Sequence, residues 1–247
     1  MDLKNKVAWI AGGARMGAVV ARVLSQQGCR IVLTYRKSEK AAQDVVQQLI
    51  ADGGEALALA CDLTQLGQIE RTSLRIIRAY KRLDILVNLS SIYEKSPLSN
   101  AKRAAAAWDA HLTANAQSAF LLTLASAPWM KRAGGGRIVH ISDWTSASGR
   151  PRYKDYTPYY VSKAAIKSVV ESLALELAPK VLVNAIAPGP ILPPPGLSRR
   201  EYEAVIQATP LARWGGAEEI AKAVLFLVET DFVTGETIRV DGGRHLY

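Results

Sequence analysis

One pattern runs the length of the chain: a short apolar run, a turn, a stretch with helical spacing, then another short apolar run. Val7-Ala8-Trp9-Ile10-Ala11 breaks at Gly12-Gly13, and Val19, Val20, Val23 and Leu24 then recur on one helical stripe that stops at Gly28. Ile31-Val32-Leu33-Thr34-Tyr35 is the next run, so the first 35 residues read as strand, glycine turn, helix, strand. Residues 39–52, 65–80, most of 101–130, a stretch from about 158, and 217–229 read as helices. Between them, 56–60, 85–87, 137–141, 181–186 and 237–240 read as strands. A strand that returns through a helix lies parallel to its predecessor, and strands apolar on both alternations are buried on both faces. With no linker, repeat or low-complexity tract, the expectation is one α/β domain over residues 1–247. Its sheet would be parallel, seven-stranded and doubly wound, with helices on both faces. The run Pro188-Gly189-Pro190-Ile191-Leu192-Pro193-Pro194-Pro195-Gly196 cannot continue a helix or a central strand, which predicts a substrate loop around 190–206 at a strand's C-terminal end.

Composition narrows the partner. The 247 residues are 49% apolar and 21% charged, which excludes a disordered, collagen-like or disulfide-stapled chain. The net charge of +9 admits nucleic acid, an acidic membrane or a phosphorylated small molecule. No helix-turn-helix, zinc-finger or RNA-recognition signature is present, so nucleic acid is not expected. No apolar run approaches the length of a membrane span. The Gly-Gly pair at residues 12 and 13 comes too early for a signal peptide, and the expectation is a cytoplasmic protein. Cys29 and Cys61 lie beside strands without CxxC or Cys/His spacing, reading as buried inert thiols, and His111, His140 and His245 show no metal-ligand spacing. His140 reads as a structural, hydrogen-bonded strand residue, and Trp108, Trp129 and Trp214 as packing residues of core or interface.

A phosphorylated small molecule fits two features of the βαβ start. The turn Gly12-Gly13-Ala14-Arg15-Met16-Gly17 follows a strand and opens a helix, where glycine lets a diphosphate approach free backbone N–H groups. Tyr35-Arg36-Lys37-Ser38 stands at the end of the second strand, where an acid would select a ribose 2′-hydroxyl and a base a 2′-phosphate. Arg36, Lys37 and Ser38 favour the phosphate, hence NADP over NAD, against the plainer reading of a solvated basic turn. A second constellation is Tyr159-Tyr160-Val161-Ser162-Lys163, whose four-residue spacing puts Tyr159 and Lys163 on one helix face. The ammonium is expected to lower the tyrosine pKa towards neutrality, as suits a general acid. Tyr156 and Tyr160 lack a lysine four positions on.

These features, taken with Cys61-Asp62-Leu63-Thr64, Leu86-Val87-Asn88, Trp108-Asp109 followed by Asn115, Asn184-Ala185-Ile186-Ala187-Pro188-Gly189, Pro210-Leu211-Ala212-Arg213-Trp214-Gly215 and the stretch 233–243, resemble a short-chain dehydrogenase/reductase over essentially the whole chain. The resemblance implies a Rossmann-type oxidoreductase that transfers a hydride between NADPH and a small-molecule substrate. Gly12, Arg15, Met16, Gly17, Tyr35, Arg36, Lys37 and Ser38 would hold the cofactor. So would Asp62 with Leu63 near the adenine, Asn88 and Ser90, Lys163 on the nicotinamide ribose, and Pro188, Gly189 and Ile191 at the nicotinamide amide. Tyr159 would be the acid, touching both cofactor and substrate, and Asn115 would hold a water passing protons towards Lys163. The family further implies a homotetramer built on two long helices.

Within the family, the position usually held by serine after the fifth strand is Asp143, 16 residues before Tyr159 rather than the usual 13, so the intervening loop is three residues longer. Pteridine and dihydromonapterin reductases carry Asp there, and Asp143 would act as an auxiliary proton donor if burial raises its pKa. Arg15-Met16-Gly17, Tyr35-Arg36 and Asn88-Leu89-Ser90-Ser91-Ile92-Tyr93 resemble the same branch, with Ser91 and Tyr93 at the substrate. The glycine turn is one residue short, Leu89 replaces an Asn, and Pro193 replaces a Thr that meets the diphosphate. The first expectation is therefore an NADPH-dependent reductase of a pteridine-type C=N or C=O. The alternative is a ketone or 3-oxoacyl-thioester reductase, and a non-catalytic NADP sensor is the reading from another class. Ser142 stands as the alternative working hydroxyl, with Asp143 then a turn-capping acid and Tyr93 a surface ring. The basic loop residues Arg150, Arg152 and Lys154 have no assigned role.

Overall fold

The computed structural model describes residues 1–12 and 15–246, so Gly13 and Ala14 of the glycine turn lie outside the described residues. Seven parallel strands form one sheet: β1 (Val7–Ala11), β2 (Arg30–Tyr35), β3 (Ala56–Ala60), β4 (Ile85–Asn88), β5 (Gly136–Ile141), β6 (Val181–Pro188) and β7 (Thr237–Val240). Their order is β3-β2-β1-β4-β5-β6-β7. The chain winds outward to β3, returns past β1, and winds outward again through β7. Such a reversal leaves a crevice at the C-terminal ends of β1 and β4, where open α/β sheets bind ligands.

The period-two alternation of a strand splits the core in two. Ile10, Ile31 and Leu33 face one side and pack with Val20 and Leu24 of α1 (Met16–Gln26) and Ile220 and Val224 of α9 (Ala217–Glu229). Trp9, Val32 and Leu86 face the other side. There they meet Ile69 and Ile76 of α3 (Leu66–Tyr80), Ala119 and Leu122 of α5 (Ser118–Arg132), and Ile166 and Val170 of α7 (Thr157–Leu177). A helix α2 (Glu39–Ala51) joins β2 to β3. The doubly wound architecture expected from the pattern is thus present, with strand boundaries within two residues of the apolar runs.

Three features were not foreseen. The stretch read as mostly helical over 101–130 is α4 (Ala101–His111), one π-helical turn over Leu112–Gln117, and α5. A single such turn inside a helix is frequently found at functional sites, and this one carries Asn115. A four-residue helix α6 (Trp144–Ala147) follows β5, and α8 (Arg199–Gln207) forms inside the expected loop. The second is explained by a capping box, in which Ser198 Oγ accepts from Glu201 N–H while the Glu201 carboxylate accepts from Ser198 N–H.

The bland expectations for Cys29 and Cys61 hold: both thiols are free and buried, and burial pushes Cys29 up to about 12. His140 is fully buried in β5 with Nε2 against Thr123 Oγ1 at 2.9 Å, and burial first, then the Lys163 charge, lowers its pKa to about 3. Trp129 packs under the Arg132 guanidinium, and Trp214 stacks on Tyr202. Trp108 is 40% exposed on α4, which excludes the core reading and leaves the interface reading expected with it.

Candidate active site

Four strand ends converge on one groove. Gly12 after β1, Tyr35 to Ser38 after β2, Asp62 and Leu63 after β3, and Ser90 to Ile92 after β4 line a cleft of about 340 Å³, within the size range of ligand pockets. Gly12 has φ +80°, and a Cβ there would lie 2.9 Å from Ser90 Cα, so a side chain would be strained and would meet the wall of the groove. A Cβ at Gly17 would come 2.8 Å from Gly12 O, so the start of α1 sits hard against the turn. Met16 and Gly17 open α1, while Arg15 reaches the other way, donating to Pro193 O at 3.0 Å and tying the turn to the proline loop. Asn88 Oδ1 accepts the Ser90 N–H, shaping the chain as it leaves β4.

The chemistry of the groove suits a phosphorylated nucleotide. Arg36, Lys37 and Ser38 are exposed at its rim, and neither cation forms an ion pair among the described residues. Tyr35 turns its hydroxyl to Glu39 Oε1 at 2.8 Å. Asp62 accepts from Thr64 N–H and Oγ1, which, with the nearby Arg36 charge, holds its carboxyl below the usual range. Across the crevice, Gly189 N–H donates to Val240 O, and Ile191 is buried, its carbonyl taken by Gly216 N–H.

The candidate reacting groups meet where β5 ends and α7 begins, with Asp143 following β5 and Tyr159 and Lys163 on α7. Tyr159 Oη donates to Asp143 Oδ2 at 2.9 Å, and Asp143 Oδ1 also accepts from Thr145 N–H and Oγ1, which makes Asp143 the N-cap of α6. Both readings of Asp143 therefore meet in one side chain, which caps a helix and faces the tyrosine. Ser142 points elsewhere: its Oγ donates to Lys163 O at 2.9 Å and lies 3.1 Å from Ser146 Oγ. Both side chains meet α7, Ser142 at the Lys163 carbonyl and Asp143 at the Tyr159 hydroxyl, so only Asp143 reaches the phenol.

Lys163 is 1% exposed, and its ammonium donates to Ile141 O at 2.8 Å. An ammonium has three N–H donors, and no second acceptor is present among the described residues. A buried cation with spare donors is what the hydroxyls of a nicotinamide ribose require, so the residues fit a dinucleotide. Burial pushes the Lys163 pKa down to about 8, against the Asp143 charge that raises it. Asn115 is saturated differently: Oδ1 accepts Ile92 N–H, while Nδ2 donates to Ile92 O and to Ser162 Oγ. Ser162 in turn donates to Tyr159 O.

One expectation is corrected. Lys163 does not bring Tyr159 towards neutrality. The phenol pKa is raised well above its ordinary value, by burial first, then by the charge of Asp143 and the hydrogen bond to it. The lysine lies 5.9 Å from the ring centroid, while the carboxylate touches the hydroxyl.

Tyr93 stands edge-on to Tyr159 at 4.7 Å between centroids, and Ser91 is exposed two residues before it. Two residues went unassigned in the sequence. Tyr156 stacks on Tyr93 at 4.6 Å and 16°, and Tyr153 stands edge-on to both. The available signal was the density of tyrosine in the lengthened loop, with Tyr153, Tyr156, Tyr159 and Tyr160 in eight residues.

A family model described as enoyl-(acyl carrier protein) reductase matches residues 11–245. The chain belongs to the short-chain dehydrogenase/reductase family. As such it is an oxidoreductase of small molecules that uses a nicotinamide dinucleotide. A 3-oxoacyl-[acyl-carrier-protein] reductase of Synechocystis is 32% identical over 251 residues, spanning 99% of each chain. A (2S)-[(R)-hydroxy(phenyl)methyl]succinyl-CoA dehydrogenase subunit of Thauera aromatica is 31% identical over 255 residues, covering 100% of this chain and 99% of that one. Among solved structures, a short-chain dehydrogenase/reductase from Serratia marcescens superposes with a TM-score of 0.90 at 28% identity, covering 99% of this chain and all of that one. Among the described residues no helix is long and apolar enough to cross a membrane, and no group of His, Cys, Asp or Glu could hold a metal ion.

Proposed function

We propose that this short-chain oxidoreductase is an NADPH-dependent reductase of a ketone or 3-oxoacyl thioester. The observation that carries this reading is the Tyr159 hydroxyl held by Asp143, with the Lys163 ammonium one helical turn away, at the end of a nucleotide-sized groove. The relatives named for 3-oxoacyl and acyl-CoA chemistry support the carbonyl class, and the free cations Arg36 and Lys37 support a 2′-phosphate.

The cofactor supplies a hydride to the carbonyl carbon when bound. Gly12, Met16, Gly17, Asn88 and Ser90 shape its bed, Arg15 joins that bed to the proline loop, and Tyr35 to Ser38, Asp62 and Leu63 take the adenosine end. Lys163 orients the ribose, and Pro188, Gly189 and Ile191 close the nicotinamide end. Tyr159 gives its proton to the carbonyl oxygen. Burial opposes the phenolate left behind, so reprotonation must be fast, and the Asp143 carboxyl, 2.9 Å from Tyr159 Oη, is the adjacent group through which a proton can return. Asn115 acts by position: through Ser162 and the Ile92 backbone it fixes the turn of α7 that bears Tyr159 and the segment that bears Ser91 and Tyr93.

A second reading, a pteridine-type C=N or C=O substrate, is favoured by the carboxylate beside Tyr159 Oη and by the half-exposed Tyr93 ring. NADPH oxidation measured in parallel with a 3-oxoacyl thioester and with dihydrobiopterin separates the two. Turnover of the thioester alone sustains the first reading, and turnover of the pterin alone replaces it with the second. Exposed Phe120 and Leu124 on α5 support a homotetramer assembled through its long helices, which the mass in solution checks.

A further inference from the structure

The loop between α6 and α7 places two rings beside Tyr159 that the carbonyl chemistry does not require. Tyr156 stacks face to face on Tyr93, whose edge meets Tyr159 at 4.7 Å. Tyr153 stands edge-on to Tyr93 and Tyr156 at 6.4 and 6.0 Å. The cluster is anchored from three sides. Trp144 Nε1 donates to Tyr153 Oη at 3.1 Å, Ser96 N–H donates to Asp155 O, and Arg150 N–H donates to Thr145 O.

Anchoring alone does not require exposed rings, yet Tyr93 is 49% and Tyr153 41% exposed. Large rings fixed in place, open to solvent and adjoining a buried acid mark a binding surface. Such faces and edges prefer another π system, because offset and edge-to-face arrangements add to plain apolar burial.

We propose that Tyr153 and Tyr156, together with Tyr93, select a substrate that carries an aromatic ring on the carbonyl carbon reduced at Tyr159. This rests on the ketone or thioester reading above and names its substrate class: an aryl ketone rather than an aliphatic one. Tyr156 and Tyr153 are specificity residues, and neither donates a proton in the reaction.

The test compares 3-oxo-3-phenylpropionyl and 3-oxobutanoyl thioesters of N-acetylcysteamine, with NADPH saturating. The wild-type protein is expected to favour the aryl compound by at least about 10-fold in kcat/KM. Tyr156→Leu keeps apolar bulk but loses the π face, and should lower kcat/KM for the aryl thioester about 5- to 10-fold through KM while changing the aliphatic value less than about 2-fold. Tyr156→Phe should restore the preference. Equal turnover of both thioesters by the wild-type protein, which needs no variant to fold, overturns the proposal. A uniform loss on both substrates in Tyr156→Leu does the same, since it reveals only loop packing. If neither thioester is reduced while dihydrobiopterin is, the carbonyl reading itself has failed and the aryl proposal falls with it.

Discussion

The cofactor groove and the substrate mouth open at the same edge of one sheet, but they are assembled in different ways. The groove is made of residues that directly follow strand ends, such as Gly12 after β1, Tyr35 to Ser38 at the end of β2, and Asp62 and Leu63 after β3. The mouth is made of side chains brought from three distant segments: Tyr93 after β4, Asp143 after β5, and Tyr153 and Tyr156 in the loop before α7. In the groove, function depends on backbone approach and on a few charges at fixed offsets from strands. At the mouth it depends on how far the intervening loop carries each ring. A groove of the first kind tolerates change in its surroundings, whereas a mouth of the second kind is altered by any change in loop length.

Substitutions on the two sides should therefore separate catalysis, cofactor choice and substrate entry. Tyr159→Phe removes the proton donor and should lower kcat by about 10²- to 10⁴-fold, with NADPH binding by fluorescence titration unchanged. Full turnover by this variant would remove Tyr159 from the chemistry and favour a non-catalytic sensor.

Lys163 belongs to both regions and links them to pH. Its folded pKa, about 8, lies below the ordinary 10.5, so the unfolded chain binds more protons between those values. Stability then rises with pH across that window as the buried charge is relieved. Relative to Lys163→Met, the wild-type protein without cofactor should gain on the order of 3 kcal/mol between pH 8 and pH 10.5, read by denaturant unfolding at each pH. A flat difference would show that the ammonium is not strained by burial.

The cofactor side alone should respond to Arg36→Ala combined with Lys37→Ala. Loss of charge-assisted hydrogen bonds to a 2′-phosphate should raise KM for NADPH about 10- to 100-fold and leave KM for NADH nearly unchanged. Equal effects on both cofactors would return these residues to a solvated turn. On the substrate side, Arg150, Arg152 and Lys154 are exposed and form no ion pair among the described residues. Replacing all three with Gln should raise KM for a coenzyme A thioester about 2- to 5-fold at low salt, with the difference vanishing as salt screens it. The neutral N-acetylcysteamine thioester should not respond.

The mildest change is Asp143→Ser, which restores the family's usual residue. It removes the charge and the hydrogen-bond acceptor that hold Tyr159 high and leaves the burial. The alkaline limb of kcat/KM, where Tyr159 loses its proton, should move to lower pH. A limb that stays in place would assign the elevated pKa to burial alone.

How much was readable in advance differs between the same two regions. The doubly wound sheet was legible because apolar runs of strand length alternated with helical stripes, and each reports a local backbone period. The strand-end positions of Gly12 and Arg36 followed from that pattern by counting, and that of Asp62 from the family resemblance. Asp143 was found by counting along the motif of the family that the chain resembles, but its competition with Ser142 was decided by which atom of α7 each side chain meets, the Tyr159 hydroxyl or the Lys163 carbonyl. Tyr156 was passed over because it lacks a lysine four residues on, a test suited to an acid and blind to a stacking ring. The π turn that carries Asn115 and the cap that starts α8 are single-turn events, too short to alter a hydrophobic period.

Composition, periodicity and motif order thus sufficed for the fold, the family and the position of the tyrosine–lysine pair, because each depends on residues near one another in the chain. The protonation of Tyr159, the choice of Asp143 over Ser142, and the ring cluster of Tyr93, Tyr153 and Tyr156 were decided only when the chain closed on itself. Burial and distances of a few ångströms between remote segments set those energies, and neither quantity has a value until the tertiary structure exists.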